Sequence, residues 1–329
     1  MTQPILTIEA TYSTLSSSQL LAKVVPQYKI SNPVSCEFWH RGLNDTYRLS
    51  SGTDPDAEDF VLRVYRKSWR TRAAIEFELG ALIYLHQKGA NVAIPVKRQD
   101  GGLLTSILAP EGERYVIVMQ YAKGKILRFD KAEDGITFGQ AAANIHRCSA
   151  GFKSHHARHK LGLKHLVDEP LINIQPYIVH RLSDWQFLTE LATRLSKLVQ
   201  ETDADNNLDY GFCHGDFHGE NAHEHNGQVT HFDFDCCGMG WRIYDLATFK
   251  WVIRLLGQED KLWDSFLDGY QSVREIPDLD LGLVEAFVGI RDIWFFGLNT
   301  KNSLAQGWLN DGYIDLHMGL LKGVAERLN

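Results

Sequence analysis

Short apolar runs separated by turn-forming residues fill residues 34–121, a pattern that is typical of β-strands. The segments VSCEFWHRGLNDTYRLSSG and DFVLRVYR predict three strands, with a turn between the first two at GLND. The segment RAAIEFELGALIYLHQKG has apolar residues at intervals of three and four, which predicts a helix. Two more strands are predicted in GGLLTSIL and RYVIVMQYA, so this region is expected to be a small sheet with one inserted helix.

The pattern becomes mainly helical from about residue 122 onward. Helices are predicted in TFGQAAANIHRCSAGF, in IVHRLSDWQFLTELATRLSKLVQ and from IYDLATFKWVIRLL to the last residue, while QVTHFDFD is predicted as a short strand. We therefore expect an α+β protein in three parts. These parts are an N-terminal lead-in and short helix at 1–33, a β-rich region at 34–121 and a helical region at 122–329.

Charge and cysteine content exclude several classes of protein. The 329 residues include 34 Lys and Arg against 41 Asp and Glu, and this net charge of −7 argues against a nucleic-acid-binding protein. The five cysteines are scattered without a spacing framework, as expected in a reduced cytoplasm. Neither a signal peptide nor an apolar run of about 18 residues is visible in the sequence. We expect a cytoplasmic protein without membrane partners.

The segment HGDFHGEN carries the chemistry that the sequence predicts most specifically. Asp216 and Asn221 are five residues apart, the spacing of aspartate and asparagine in a kinase catalytic loop. Such a loop needs a carboxylate to accept the proton of an attacking hydroxyl and a neutral amide oxygen to bind a metal ion. The strand predicted in HFDFD then provides Asp233 and Asp235, carboxylates that could bind the Mg²⁺ on nucleotide phosphates.

Histidine and cysteine residues in the same stretch leave a zinc site open as an alternative. Eight potential ligands occur here, namely Cys213, His214, His218, His223, His225, His231, Cys236 and Cys237. No pair among them has the spacing of a zinc motif on a recognisable helix, and two glycines, Gly215 and Gly219, disfavour a helix there. His223 and His225 are expected to be solvent-exposed turn residues.

Arg63 lies among apolar residues in the strand VLRVY, where a cation requires a carboxylate partner because an unpaired buried charge is costly. Glu78, in the helix that follows, is the predicted partner. An exposed arginine and an ordinary helix glutamate are the alternative.

These motifs resemble the aminoglycoside phosphotransferase and choline kinase-like family, relatives of the protein kinases. The matching segments are HGDFHGEN, HFDFDCCGMGWRIYDLA, YVIVMQYAKG and VLRVY, with AANIH in the preceding helix. The run D-F-D-x-x-x-x-G-x-x-x-x-D-L is most similar to the branch of homoserine kinase-like enzymes and bacterial stress-response kinases. The resemblance implies a protein kinase-like bilobal fold with a small β-rich N-terminal lobe and a larger helical lobe. It also implies the use of ATP and Mg²⁺.

The resemblance implies a role for each matching residue of the helical region. Asp216 is expected to be the catalytic base, Asn221 and Asp233 are expected to bind Mg²⁺, and Asp235 is expected to assist a second metal ion. Structural support of the catalytic loop is expected from His214, His218 and Asp245.

The same resemblance assigns the nucleotide to the β-rich region. Arg63, paired with Glu78, is expected to contact the α- and β-phosphates. Asn44 and Thr46 are expected in the phosphate-binding turn. The adenine is expected against the segment Met119, Gln120, Tyr121 and Ala122.

Three departures from the family pattern bear on activity. Arg63 replaces the usual lysine, but it keeps the charge and can bind phosphate through a planar fork. The phosphate-binding turn has only Gly42 in place of a glycine-rich run, and Cys236 occupies the third acidic position.

The acceptor is expected to be the hydroxyl of a small molecule such as an amino alcohol, a homoserine-like compound or an aminoglycoside-like compound. Contact with the acceptor is predicted for Trp241, Arg242 and Tyr244, because these residues closely follow the metal-binding strand. A protein Ser/Thr kinase of the stress-response type and a nucleotide-binding regulator without turnover are the alternatives.

Overall fold

The computed structural model describes residues 8–30, 35–52, 58–303 and 309–329. The described chain forms two compact units. The first contains the described residues up to 123 together with 153–158 and 230–232, and the second contains the rest. The predicted lead-in at 1–33 lies partly outside the described residues.

The first unit is built on an antiparallel sheet with strand order β1-β2-β3-β5-β4 in the described residues. Its strands are β1 (Ser35–Arg41), β2 (Asp45–Ser50), β3 (Phe60–Val64), β4 (Thr105–Ala109) and β5 (Gly112–Gln120). The helices are α1 (Ser17–Lys23) and α2 (Arg72–Gln87). Ser16 caps α1, because its side chain accepts a hydrogen bond from the N–H of Gln19.

Apolar side chains of the central strands form the core of the first unit. Tyr47, Leu62 and Val118 are completely buried, and they belong to one cluster with Leu20 and Val24 of the α1 region. Burial of such side chains contributes roughly 1.5–3 kcal/mol each, so the sheet and α1 stabilise one another.

The second unit is mainly helical. Its helices are α3 (Ala132–Cys148), α4 (Glu169–Ile178), α5 (Leu182–Thr202), α6 (Ile243–Leu255), α7 (Glu259–Gln271), α8 (Asp278–Gly282), α9 (Val284–Ser303) and α10 (Asp311–Arg327). The short strands outside the sheet of the first unit are β6 (Lys125–Ile126), β7 (Tyr210–Cys213), β8 (Ala222–His225), β9 (Gln228–His231) and β10 (Gly238–Trp241). β7 pairs with β10, and β6, β8 and β9 form a second ladder. The predicted α+β class is confirmed.

One predicted helix differs from the structure. The helix expected over residues 178–200 is interrupted, since α4 ends at Ile178 and α5 begins at Leu182. Arg181 between them has φ −111° and ψ 65°, outside the helical region, so α4 and α5 are separate helices. Among the described residues no helix is both long and apolar enough to cross a membrane.

Glycines allow the backbones of α3 and α7 to approach each other closely. A Cβ on Gly139 would lie 2.1 Å from the carbonyl oxygen of Phe266, and one on Gly269 would lie 2.2 Å from that of Ile136. Neither distance is compatible with a side chain, so the two helices depend on these glycines.

We expect Gly139→Ala to lower the free energy of unfolding by about 1–3 kcal/mol, because the added methyl group must push α3 and α7 apart. Gly319→Ala in α10 is the matched control, because a Cβ there meets nothing within 4 Å. It should raise stability by about 0.5–1 kcal/mol through helix propensity. Urea unfolding of both variants measures the difference, and equal stability of the two would contradict the close contact.

Candidate active site

The loop after β7 requires a glycine at its second residue. Gly215 has a φ of +82°, and a Cβ on it would lie 2.2 Å from the carbonyl oxygen of Cys236. Both the left-handed backbone and the close approach exclude a larger residue. The glycine therefore lets the loop pass directly over the backbone of Cys236 before it reaches Asp216.

Asp245, at the start of α6, holds this loop. Its buried carboxylate accepts hydrogen bonds from the backbone N–H groups of His214 (2.7 Å) and Gly215 (2.8 Å). His146 of α3 contacts the same carboxylate through Nε2 (3.0 Å), and its Nδ1 lies 2.8 Å from the hydroxyl of Tyr270. Burial outweighs the attraction of Asp245 and lowers the pKa of His146, so the neutral ring donates from Nε2 and accepts at Nδ1. This geometry supports the bracing role predicted for Asp245.

The carboxylate of Asp216 is divided between two sets of partners. Oδ1 accepts a hydrogen bond from Nη2 of Arg291 at 2.5 Å. Oδ2 lies 3.2 Å from Nδ2 of Asn221 and 3.4 Å from Nε2 of His218. The side chain of Asp216 is 25% exposed whereas that of Arg291 is 1% exposed, so Oδ1 faces a buried cation.

These neighbours keep Asp216 ionised. Burial by itself would raise the pKa of Asp216, but the positive charges of His218 and Arg291 outweigh it and hold that pKa below its usual range. Burial opposes the protonation of His218, yet the carboxylate of Asp216 raises the pKa of His218. An ionised carboxylate at neutral pH is the form that can accept a proton.

Asn221 is oriented by the same loop. Its Nδ2 donates a hydrogen bond to the backbone oxygen of Asp216 at 3.0 Å and lies 3.1 Å from Nε2 of His218. Because the amide nitrogen faces Asp216, the amide oxygen points the other way. This is the orientation that a ligand of a hard cation needs.

The structure corrects the position of Asp233 and Asp235 relative to the predicted strand. β9 ends at His231, and Asp233 follows with φ 60° and ψ 57°, a left-handed conformation that ends extended backbone. Asp235 is buried in a 3₁₀ turn that begins at Phe234. The ring of Phe234 lies 4.2 Å from that of His214, so this segment packs against the catalytic loop.

In the first unit, the predicted pairing of Arg63 with Glu78 is present. Nη1 of Arg63 donates to Oε1 of Glu78 at 2.9 Å, and the hydroxyl of Tyr65 donates to Oε2 at the same distance. Thr46 lies opposite Arg63 in the β2–β3 register. Asn44 precedes β2, and its Oδ1 accepts a hydrogen bond from the N–H of Arg66. Contact of these residues with phosphate stays a prediction.

The segment predicted to hold adenine lies at the end of β5. Met119 and Ala122 are buried. The N–H of Gln120 donates to the carbonyl of Ile94, and the N–H of Tyr121 donates to that of Asp59. The segment is therefore fixed by neighbouring backbone, and its contact with adenine stays a prediction.

The residues predicted to contact the acceptor have structural partners. The indole N–H of Trp241 donates to Asp203, and Arg242 pairs with Asp209. Tyr244 is completely buried. The acceptor role given to Trp241, Arg242 and Tyr244 has no support from these contacts.

The zinc alternative gains no support in the part of the chain that the structure describes. No group of three or more His, Cys, Asp or Glu side chains there could hold a metal ion. The expectation for His223 is wrong, because this residue is buried in β8, while His225 is exposed as expected. All five cysteines are buried free thiols.

Arg291 is the site residue that the sequence analysis did not identify. It lies in α9, and it is 75 residues from its partner Asp216 along the chain. No local spacing links two residues so far apart. The only available signal was an arginine within the apolar segment FVGIRDIWFF, where a cation needs a buried partner.

Known proteins are similar to this chain in sequence and in fold. The profile of the phosphotransferase enzyme family (APH) matches residues 36–276. An uncharacterized protein of Synechocystis sp. is 35% identical over 293 residues, which cover 88% of this chain and 80% of that protein.

Two solved structures have the same fold. The amicoumacin kinase hAmiN, in complex with AMP-PNP, Ca²⁺ and Ami, has a TM-score of 0.73 at 20% identity, covering 94% of this chain and 93% of that one. A microcompartment-associated aminopropanol kinase has a TM-score of 0.72 at 22% identity, covering 93% of this chain and 95% of that one. The predicted protein kinase-like fold is confirmed. The chain therefore belongs to the phosphotransferase enzyme family, and it is an enzyme of the kinase type.

Proposed function

We propose that this enzyme transfers the γ-phosphoryl group of ATP, in the presence of Mg²⁺, to a hydroxyl group of a small molecule. The acceptor is proposed to be an amino alcohol or another amine that carries a hydroxyl group, such as a homoserine-like or aminoglycoside-like compound. The observation that carries the proposal is the pair formed by Asp216 and Asn221. An ionised, partly exposed carboxylate lies beside an amide whose oxygen points away from it. This is the combination of proton acceptor and neutral metal ligand that phosphoryl transfer requires.

Asp216 acts as the base in this proposal. The acceptor oxygen forms a bond to the γ-phosphorus, the bond between that phosphorus and the β–γ bridging oxygen breaks, and ADP leaves. The acceptor proton passes to Asp216. The low pKa of Asp216 makes it a weak base, which suits a loose transition state in which the attacking hydroxyl carries little charge until late.

The residues assigned to the metal suit Mg²⁺, because Asn221 and Asp233 offer an amide oxygen and a carboxylate to a cation that prefers oxygen ligands. When bound, Mg²⁺ neutralises charge on the β- and γ-phosphates. Asp235 is proposed to assist, although its burial in the 3₁₀ turn makes Asp233 the principal ligand. The nucleotide in complex with the structurally similar amicoumacin kinase, AMP-PNP with Ca²⁺, supports this pairing of nucleotide and divalent cation.

Residues of the first unit are proposed to hold the nucleotide. Arg63 would contact the α- and β-phosphates while Glu78 and Tyr65 fix its position. Arginine keeps its charge at every physiological pH and offers a planar fork, so it replaces lysine without loss of the required charge. Asn44 and Thr46 would adjoin the phosphates, and residues 119–122 would contact adenine.

The acceptor class is supported by two observations. The net charge of −7 favours a cationic substrate over an anionic one. The structurally similar kinases are named for amicoumacin and aminopropanol, and aminopropanol is an amino alcohol.

We expect Asp216→Asn to lower kcat by about 10²–10⁴-fold, because the amide cannot accept the proton. The measurement is transfer of label from [γ-³²P]ATP to a panel of amino alcohols, aminoglycosides, homoserine and a Ser/Thr peptide library. Asp264→Asn, a change at an exposed position of α7, is the control and should leave kcat unchanged.

The panel also separates the alternatives. Labelling of peptides rather than small molecules would favour a protein kinase, and ATP binding without transfer to any acceptor would favour a regulator. Transfer that Asp216→Asn leaves unchanged would contradict the proposed mechanism.

We expect Asp245→Asn to lower both the free energy of unfolding and kcat. Both carboxylate oxygens of Asp245 accept from N–H groups of the catalytic loop, and the amide NH₂ group of asparagine would replace one of these acceptors by a donor. Loss of hydrogen bonds to a buried charge should cost about 2–3 kcal/mol of unfolding free energy. Asp203→Asn is the control, since Asp203 accepts from the N–H of Leu208 and the indole of Trp241, away from the loop. It should lower stability while kcat stays unchanged. Urea unfolding and steady-state kinetics test both, and a normal kcat in Asp245→Asn would exclude the bracing role.

A further inference from the structure

Arg291 joins the side chain of Asp216 to the backbone of the same loop. Nη2 donates to Oδ1 of Asp216 at 2.5 Å, and Nη1 donates to the carbonyl of Gly215 at 3.2 Å. Nη1 also lies 3.5 Å from the hydroxyl of Tyr244. The planar guanidinium thus fixes the carboxylate relative to the peptide that precedes it.

Aromatic rings enclose this guanidinium. Its central carbon lies 5.2 Å from the ring of Trp251, 4.7 Å from that of Trp294 and 5.6 Å from that of Phe295. Trp251 is itself held, because its indole N–H donates to Asp292 at 2.8 Å. Cation–π contacts in such a desolvated position stabilise the guanidinium where it lies.

Stability alone does not explain such a residue. A buried ion pair is on average no more stabilising than apolar side chains of similar volume, because both charges lose their hydration. Arg254 in α6 is also ion-paired, but its partners Glu259 and Glu285 lie outside the catalytic loop. Arg291 differs because its partner is the carboxylate proposed to be the base.

We propose that Arg291 is a positioning residue that occupies Oδ1 of Asp216 and thereby presents Oδ2 to the acceptor hydroxyl. The inference rests on the proposed function. Oδ1 is covered by a buried cation, while Oδ2 has the longer contacts, at 3.2 Å to Asn221 and 3.4 Å to His218. Oδ2 therefore accepts the proton, and Arg291 itself touches neither acceptor nor nucleotide.

The test compares Arg291→Met and Arg291→Lys with the wild type, using Mg-ATP and 1-aminopropan-2-ol as substrates. Misplacement of the carboxylate in Arg291→Met should lower kcat by about 10²-fold, with the KM for ATP unchanged. Arg291→Lys should recover part of kcat, because an ammonium group can still pair with Oδ1. Arg254→Met is the control, a half-buried, ion-paired arginine lost elsewhere in the same unit, and it should retain the wild-type kcat.

A double variant separates positioning from a merely structural role. If Arg291 acts through Asp216, Arg291→Met should cost nothing further in an Asp216→Asn background, because residues that act as a unit are not additive. Losses that multiply would overturn the inference, as would a wild-type kcat in both single variants. If circular dichroism shows that Arg291→Met does not fold, the same comparison is made with Arg291→Lys, alone and in the Asp216→Asn background.

The same assays distinguish failure of this inference from failure of the proposed function. A wild type that transfers phosphate and is inactivated by Asp216→Asn upholds the function, whatever Arg291 does. If Asp216→Asn leaves phosphate transfer unchanged, Asp216 is not the base, and both the proposed function of Asp216 and the inference about Arg291 are wrong.

Discussion

The hydrogen bonds from the loop backbone to Asp245 are the interaction on which the rest of the site depends. The N–H groups of His214 and Gly215 are buried, and each would cost about 1–3 kcal/mol without a partner. One carboxylate satisfies both, and through His146 it connects the loop to α3. Asp245 therefore fixes the backbone of the loop independently of the side chains of Asp216 and Asn221. A base and a metal ligand five residues apart can face the same substrate only on such a fixed backbone.

Charge balance is the second constraint. Asp216 loses hydration by partial burial, and Arg291 and His218 offset that loss with positive charge. Arg291 in turn is desolvated completely and is stabilised by its ion pair and by aromatic rings. In the first unit, the loss of hydration of the buried Glu78 is likewise offset by hydrogen-bonding partners, because Glu78 accepts from Arg63 and from the hydroxyl of Tyr65. In each unit a buried partner thus fixes the direction of a charged group, Arg291 for Asp216 and Glu78 for Arg63.

Much of this architecture follows from patterns that are local in the chain. The strands of the first unit, the helix α2 and the spacing of Asp216 and Asn221 each depend on neighbours within a few residues. The pairing of Arg63 with Glu78 could also be anticipated, because a cation within an apolar strand needs an anion and the following helix offers one. The expectation for Trp241, Arg242 and Tyr244 rested on proximity in sequence alone, and contact of these residues with the acceptor stays a prediction.

The sequence by itself therefore determined the class of fold, the family and the residues proposed for proton transfer and metal binding. Periodicity and fixed spacing carry that information because strands, helices and turns are decided over short distances. Only the tertiary structure decided that α9 brings Arg291 beneath Asp216 and that Asp233 takes a left-handed conformation after β9. The partner of a buried charge depends on which helices pack together. Residues 75 positions apart leave no periodic trace of that contact in the sequence.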